Sequence, residues 1–308
     1  MQTKWICLLL LGALLLLDTA VAKTPMPAIS DEVILEDPAG GIHRYESPTL
    51  RIEAVRRYNP EKKITWTLVD IITTGEDIFH VIPSDPNRPM KLQTRKYVEE
   101  IAKENGVVLG LSSDFAFARL AGRQVGGVVI RNEIIYSDKP RSAKSKTFPN
   151  LDLLALFADG DMKVFKNQEK NAEELIAMGA IDVLAFGPIL VSNGEINDEV
   201  VSRHGRYREP RIGIGMVEKG HYKVIMVEGR LPKSKGITLV GLAQLFFDEG
   251  CAMAFNLDGG QTATLSFMGK QIIWVGNMKK MSSPARKTNE IIGIGYSSQV
   301  RPPENKKK

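Results

Sequence analysis

Phe255-Asn256-Leu257-Asp258-Gly259-Gly260-Gln261-Thr262-Ala263-Thr264 continues an apolar run that begins at Cys251. Cys251 to Phe255 reads as a buried strand, bounded by Gly250 before it and Gly259-Gly260 after it. Asn256 and Asp258 fall where that strand runs out. Two glycines follow at once, so the backbone can turn tightly or approach a ligand closely. Thr262 and Thr264 then bring hydroxyls able to donate to an oxyanion or a sugar. An isolated Asp-Gly-Gly signals only a strand followed by a turn; the rest of the chain gives this one more weight.

Upstream, Tyr222 to Val227 reads as a strand ending at Glu228-Gly229-Arg230. A helix follows from about Leu239 to Glu249, with Thr238 as N-cap and Gly250 closing it. Strand, helix, strand in this order predicts two parallel strands, which sets Glu228 and Asp258 at one carboxyl edge, where open α/β sheets hold ligands. Strands lie roughly 4.8 Å apart. Adjacent strands would bring the carboxylates near the roughly 5–5.5 Å of retaining glycosidases, and one intervening strand near the roughly 6.5–9.5 Å of inverting ones. Both stay open. Asp114, after the apolar run Val107–Leu111, is a third acid able to join them. Arg211 begins the preceding strand (Ile212, Ile214, Met216) and Arg230 stands just after Glu228. A guanidinium fork suits phosphate. The plainer reading is that the acids are structural and the arginines neutralise them.

Strands are also expected at Leu50–Tyr58, Lys63–Ile72, Val128–Arg131, Ile134–Tyr136, Asp182–Phe186, Ile189–Ser192, Thr262–Phe267, Ile272–Val275 and Asn289–Tyr296. Leu153–Phe157 and Met162–Phe165 read as a hairpin. Leu92–Asn105 reads as an amphipathic helix with Tyr97, Val98, Ile101 and Ala102 on its apolar stripe and Gly106 as its C′ residue. Asn171 and Glu174 resemble a capping box opening a short helix that Gly179 ends. Asn193-Gly194 marks a turn. With no repeat and no long linker, the expectation is one α/β (mixed α+β) domain over residues 49–298, a mixed β-sheet core with flanking helices.

The chain has 308 residues and a formal charge of +5, of which Lys306-Lys307-Lys308 supplies three, so no nucleic-acid surface is expected. Lys4, the apolar stretch Trp5–Leu17 and Ala20-Val21-Ala22 read as a cleavable signal peptide over residues 1–22, an uncleaved anchor being the rival reading. Residues 23–48 then form a loose, Pro-rich lead-in and 299–308 a basic tail. Cys7 lies in the leader, so Cys251 is the single thiol of the mature chain and a core filler. Export without disulfides fits bacterial secretion, to the periplasm, the cell envelope or the medium. His43, His80, His204 and His221 lack a nucleophile-elbow context and are expected in loops or at the surface.

These motifs together resemble the phosphodiester glycosidase family, that of N-acetylglucosamine-1-phosphodiester α-N-acetylglucosaminidase, whose bacterial members are often labelled exopolysaccharide biosynthesis proteins. The resemblance runs in order from about Lys91 to Tyr296. Ser112-Ser113-Asp114-Phe115 resembles its Asn-Gly-Asp-Tyr/Phe strand end, and Gly127 to Asn132 its Gly-x-Val-Ile-Arg-Asn segment. Phe186 to Gly194 is similar to its Phe-Gly-Pro-x-Leu-Val-x-Asn-Gly stretch, and Pro210-Arg211 with Gly213-Ile214-Gly215 to its Pro-Arg-Thr-Ala-Ile-Gly. Glu228-Gly229-Arg230 stands for Asp-Gly-Arg, and Ser234 to Leu239 and Asn256 to Gly260 match Ser-Lys-Gly-x-Thr-Leu and Asn-Leu-Asp-Gly-Gly. Gln261 and Thr262 replace the family's third Gly and its Ser, and Ser112 replaces its first Asn.

The resemblance implies hydrolysis of a GlcNAc-like sugar joined through its anomeric carbon to a phosphodiester on a glycan or envelope polymer. The departing phosphate monoester is a weak base, so it needs less protonation than an alcohol and more charge stabilisation. The catalytic set expected is Asp258, Glu228, Arg211 and Arg230. Asp114, Asn193, Asn256, Gly259, Gly260, Gln261 and Thr262 are expected to contact the sugar. No cofactor is implied. Asp114, Glu228 and Asp258 could hold a hard cation, but there is no contiguous calcium loop and no metal is expected. The alternative is a non-catalytic binder of phosphodiester-containing envelope glycans, motivated by Ser112, Gln261 and Thr262.

Overall fold

The computed structural model describes residues 32–88, 93–114, 126–139, 151–201, 203–275 and 285–300. The expected signal peptide, the lead-in up to residue 31, Leu92, Phe115 and residues 301–308 of the basic tail lie outside these.

Alternating apolar and polar residues build the first strands, β1 (Val33–Asp37), β2 (Ile42–Glu46), β3 (Leu50–Asn59) and β4 (Ile64–Thr73), followed by the short β5 (His80–Pro83). The described part of the expected loose lead-in is therefore a hairpin of β1 and β2, because Ile42 to Glu46 alternate half-buried and buried positions and pair with β3. α1 (Val98–Glu104) buries Val98, Ile101 and Ala102 and ends before Gly106, at φ 68°. It starts later than expected because Lys96 pairs with Thr288 as an extended bridge. Then come β6 (Val107–Ser112), β7 (Gly127–Arg131), β8 (Ile134–Lys139), β9 (Asp152–Phe157) and β10 (Met162–Phe165). α2 (Ala172–Ala177) opens on the Asn171–Glu174 capping box. β11 (Ala180–Phe186), β12 (Ile189–Ser192), β13 (Glu195–Ile196), β14 (Arg211–Glu218) and β15 (His221–Val227) follow. α3 (Leu239–Asp248) is capped by Thr238, whose hydroxyl accepts from the Gly241 N–H at 3.0 Å. β16 (Met253–Asn256), β17 (Leu265–Phe267), β18 (Lys270–Gln271) and β19 (Glu290–Tyr296) complete the set. The strand expected at Ile272–Val275 is absent.

The strands form three sheets. The largest has the order β1-β2-β3-β4-β15-β14-β16-β12-β13; the others run β10-β9-β11-β7-β8 and β18-β17-β6-β19-β5. The fold is dominated by sheet, with short helices, so the mixed class expected from sequence holds only in its coarse form. β15 and β16 run the same way, as the strand–helix–strand reading predicts. They are not neighbours: β14 lies between them, antiparallel to both.

One face of the nine-stranded sheet packs against both smaller sheets. Ile52, Ile71, Val224, Met226, Ile212 and Phe255 meet Leu154, Leu184, Leu109 and Leu111 there. Each sheet buries its other face under a helix. α3 covers Ile225 and Val227, α2 covers Val183 and Ala185, and α1 covers Ile291. The glycines of Gly213-Ile214-Gly215 belong to this packing. A Cβ at Gly213 or Gly215 would lie 2.8 or 2.9 Å from the Phe246 ring of α3. Cys251 is a buried filler, as expected. His43, expected at the surface, is instead buried beside the Phe267 ring.

A buried ionic cluster joins the two smaller sheets. Arg131, at the end of β7, donates through Nε and Nη2 to both carboxylate oxygens of Glu290 on β19 (3.0 and 2.6 Å). Its Nη2 also reaches Asp114 after β6 (3.3 Å), and its Nη1 donates to the Ile130 and Val183 carbonyls. Asp182 on β11 accepts from the Val81 N–H of β5 (2.9 Å). Burial would lower the Arg131 pKa, but Glu290 and Asp114 raise it. Removing one partner from such a cluster leaves buried charge uncompensated, at a cost of about 3–5 kcal/mol. Arg131→Met is therefore expected to lower the unfolding free energy in urea by about 3–5 kcal/mol; a loss under about 1 kcal/mol would show that the sheets hold together without the cluster.

Candidate active site

Four chain segments meet at one edge of the core. The Leu257 N–H donates to the Ile212 carbonyl (3.0 Å), the Asp258 N–H to Ser113 (3.2 Å) and the Gly260 N–H to Pro210 (2.8 Å). Gly229 packs on the other side of Pro210, where a Cβ would lie 2.6 Å from the Pro210 nitrogen. A Cβ at Gly259 would lie 2.8 Å from the Pro210 oxygen. Glycine at both positions lets the loops after β15 and β16 close on the start of β14. Gly260 turns at φ 63°, and a Cβ there would lie 3.3 Å from Nη2 of Arg230. Arg230 itself holds φ 59°, a costly conformation for a non-glycine residue, and is tied to Glu209 at 2.7 Å.

Asp258 is 8 % exposed. Its carboxyl is pushed up to about 7 by burial, with the Asp114 charge adding to the rise; the Thr262 hydroxyl and the Arg286 guanidinium pull the other way. Among the described residues nothing donates to its buried Oδ2. Asp114 is fully buried and is held in place by Arg131 and by the Ala185 N–H, which donates to its Oδ2 at 3.0 Å. Two carboxyl groups thus share the edge, one beside the Arg131 cation of the buried cluster and one able to carry a proton near neutrality.

A sequence profile for phosphodiester glycosidases matches residues 105–295, more than half of the chain and all four of these segments. The chain belongs to the phosphodiester glycosidase family. Over 180 residues it is 31 % identical to the SPbeta prophage-derived uncharacterized protein YomE of Bacillus subtilis, a match spanning 58 % of this chain and 27 % of that protein. In fold it is similar to the catalytic domain of zebrafish N-acetylglucosamine-1-phosphodiester α-N-acetylglucosaminidase, solved in a form auto-inhibited by its pro-peptide. The TM-score there is 0.64 at 16 % identity, covering 82 % of this chain and 85 % of that one. A hypothetical protein from Synechocystis is similar at TM-score 0.54 and 12 % identity, covering 86 % and 68 %. A putative exported protein from Burkholderia pseudomallei also scores 0.54 at 12 % identity, covering 75 % and 74 %.

Of the residues expected from sequence, Asp258, Asp114, Arg230, Gly259, Gly260, Gln261 and Thr262 come together at this edge. Thr262 keeps a hydroxyl where the family pattern has Ser, and that hydroxyl bonds the Asp258 carboxyl. The Gln261 carbonyl accepts from the Arg286 N–H at 2.9 Å. The other expected residues are engaged elsewhere. Glu228 is nearly buried and pairs with Arg56 of β3 at 2.7 Å. Arg211 turns to the α3 side of its sheet, donating to the Ile237 and Tyr207 carbonyls (2.9 and 3.1 Å), and burial lowers its pKa to about 10. Asn256 is 1 % exposed and donates to the Gly187 carbonyl at 2.8 Å. Thr264 uses its hydroxyl on the Thr262 carbonyl. Asn193 sits at the opposite end of β16, where the Gly194 N–H meets the Ala252 carbonyl. Among the described residues no three acids, histidines or cysteines are grouped to hold a metal ion.

Arg286 was missed. It precedes β19, whose first residues pair with the end of β6, so antiparallel register carries it to the Asp258 edge. Its Nη1 lies 3.5 Å from the Thr262 hydroxyl. Topology alone signals it, since nothing in Arg286-Lys287-Thr288 marks a site.

A carboxyl raised from its ordinary 3.8 to about 7 lets the folded state bind the extra proton, so stability falls as pH climbs through that window. Asp258→Asn should remove this slope. Urea unfolding is expected to show the variant more stable than wild type above pH 7, by on the order of a few kcal/mol, with the gap closing below about pH 4. A gap that does not depend on pH would place the Asp258 carboxyl in its ordinary range.

Proposed function

We propose that this protein is an exported hydrolase releasing a GlcNAc-like sugar from a sugar-1-phosphodiester of a glycan or envelope polymer. The observation that carries this reading is Asp258: a buried carboxyl with an unpartnered oxygen, beside Asp114, on a double-glycine turn overlain by one guanidinium and approached by another. Family membership supports the reaction class, and the leader-like residues 1–22 support export. Among the described residues no helix is long and apolar enough to cross a membrane.

In this reading Arg230 and Arg286 balance the phosphate charge that grows as the anomeric C–O bond breaks. Asp258 supplies the proton that a partly developed phosphate oxygen needs. Asp114, held as an anion by Arg131, faces the positive charge on the sugar ring. Water adds at the anomeric carbon as the hydroxyl of the released sugar, and the proton it loses restores Asp258, which completes the hydrolysis. Glu228 and Arg211 support the site: the first ties the Gly229 loop to β3, and the second fixes the start of β14 to the segment before α3.

The test is hydrolysis of UDP-GlcNAc and of a synthetic GlcNAc-1-phosphodiester by the purified protein. Asp258→Asn and Arg286→Met are each expected to lower kcat/KM by about 10²-fold or more, and Asn193→Ala to leave it unchanged. Undiminished turnover in both of the first two variants would remove the site. Saturable glycan binding with no product, indifferent to Asp258→Asn, would favour the non-catalytic binder suggested by Gln261 and Thr262.

A further inference from the structure

The Arg131–Glu290 pair that holds Asp114 also lines a cavity of about 390 Å³, bounded by β5, the segment after it and the β7–β8 hairpin. Asp258, Arg230 and Arg286 do not line it, so it is separate from the edge described above. Its volume is near the small end of the roughly 300–1,000 Å³ usual for ligand sites.

Its walls are held by buried polar bonds. The Asp182 carboxylate accepts from the Val81 N–H on one wall (2.9 Å) and the Asn132 N–H on the other (3.0 Å). Gln93, 7 % exposed, accepts from the Ser84 hydroxyl and the Asp85 N–H and donates to the Asp85 and Arg88 carbonyls, pinning the segment that carries Arg88. A cavity framed this way is pre-formed.

Charge decides what it can take. The floor sets one guanidinium, Arg131, among the carboxylates Glu290, Asp114 and Asp182, the last also held by two backbone N–H groups, so it has no cation to spare for an anion. At the rim Arg88 is paired with Asp85 at 3.1 Å, and His80 lies 3.9 Å from Asp182. A phosphate would meet two floor carboxylates and, among the described residues, no uncommitted cation. The remaining lining is amphipathic. Ile134 and Tyr136, on the edge strand β8, are 55 % and 37 % exposed, and Asn132 adds an exposed amide. An aromatic ring with a hydroxyl, an aliphatic wall and an amide match a ligand with C–H faces and hydroxyl edges.

We propose that this cavity is a subsite for an uncharged saccharide unit, remote from the bond being broken. The choice of a saccharide rests on the glycosidase reading; the presence of a site does not. Binding there would anchor a polymer whose phosphodiester reaches the Asp258 edge, adding remote binding energy to a small reacting centre.

The experiment is calorimetric titration of the full chain with trisaccharides of GlcNAc, glucose and galactose, and with inorganic phosphate. At least one neutral trisaccharide is expected to bind saturably. Tyr136→Ala is expected to weaken that binding by about tenfold or more while the thermal midpoint stays near wild type, and Asn132→Ala to weaken it in the same direction. Asp258→Asn is expected to bind the trisaccharide as wild type does. The proposal falls if no trisaccharide binds up to about 10 mM, if binding survives both cavity substitutions, if it is lost in Asp258→Asn, or if phosphate competes for it. Because the readout needs no turnover, loss of the hydrolase reading with Tyr136-dependent binding intact would leave the subsite standing.

Discussion

The guanidinium of Arg131 is the constraint on which the rest depends. It sits at the end of one small sheet and takes its carboxylate partners, Glu290 and Asp114, from the other. Backbone carbonyls of Ile130 and Val183 take a further N–H, so the fork is committed on every side. A buried cation so fully matched is worth keeping only if its removal is worse, and here removal would strand acids with almost no access to water. The same contacts orient Asp114 at the end of β6, and through it the electrostatics of Asp258.

That chain of cause explains why two acids at one edge behave differently. Burial works against a charge on Asp258, and the neighbouring Asp114 adds to the effect. Each unit of displacement corresponds to about 1.4 kcal/mol between the protonated and ionised forms. Asp114 has a guanidinium in direct contact and an N–H to hold its charge, whereas Asp258 has the Thr262 hydroxyl, the Gly259 N–H and only a more distant arginine. Asp258 is therefore the carboxyl whose pKa rises toward neutrality. Glycine at 229, 259 and 260 makes this possible, since side chains there would push the loops off Pro210 and Arg230.

The sheet arrangement accounts for the location. β14 runs antiparallel between β15 and β16, so its beginning meets their ends. β19 runs antiparallel to β6, so its beginning meets the end that carries Asp114. Four motif-bearing loops, far apart in the chain, are delivered to one place by strand direction alone. The cavity beside Arg131 is lined by Arg131 and Glu290 of the ionic cluster together with residues of β5 and β8.

Much of this was legible in the chain. Strand positions, the capping box at Asn171, the Thr238 cap and the parallel sense of β15 and β16 follow from local periodicity and capping chemistry. So does the gathering of Asp258, Asp114 and the Glu228–Arg230 loop at a sheet edge. What tertiary structure alone decided is which charge meets which. Asp258 faces Asp114 and Arg286 in place of Glu228 and Arg211, because Arg56 on β3 draws Glu228 away and the carbonyls before α3 hold Arg211. Alternation along a strand assigns each side chain a face, but past the last ladder bond that rule lapses. There, direction is set by partners contributed from remote elements, and no local pattern of residues records them.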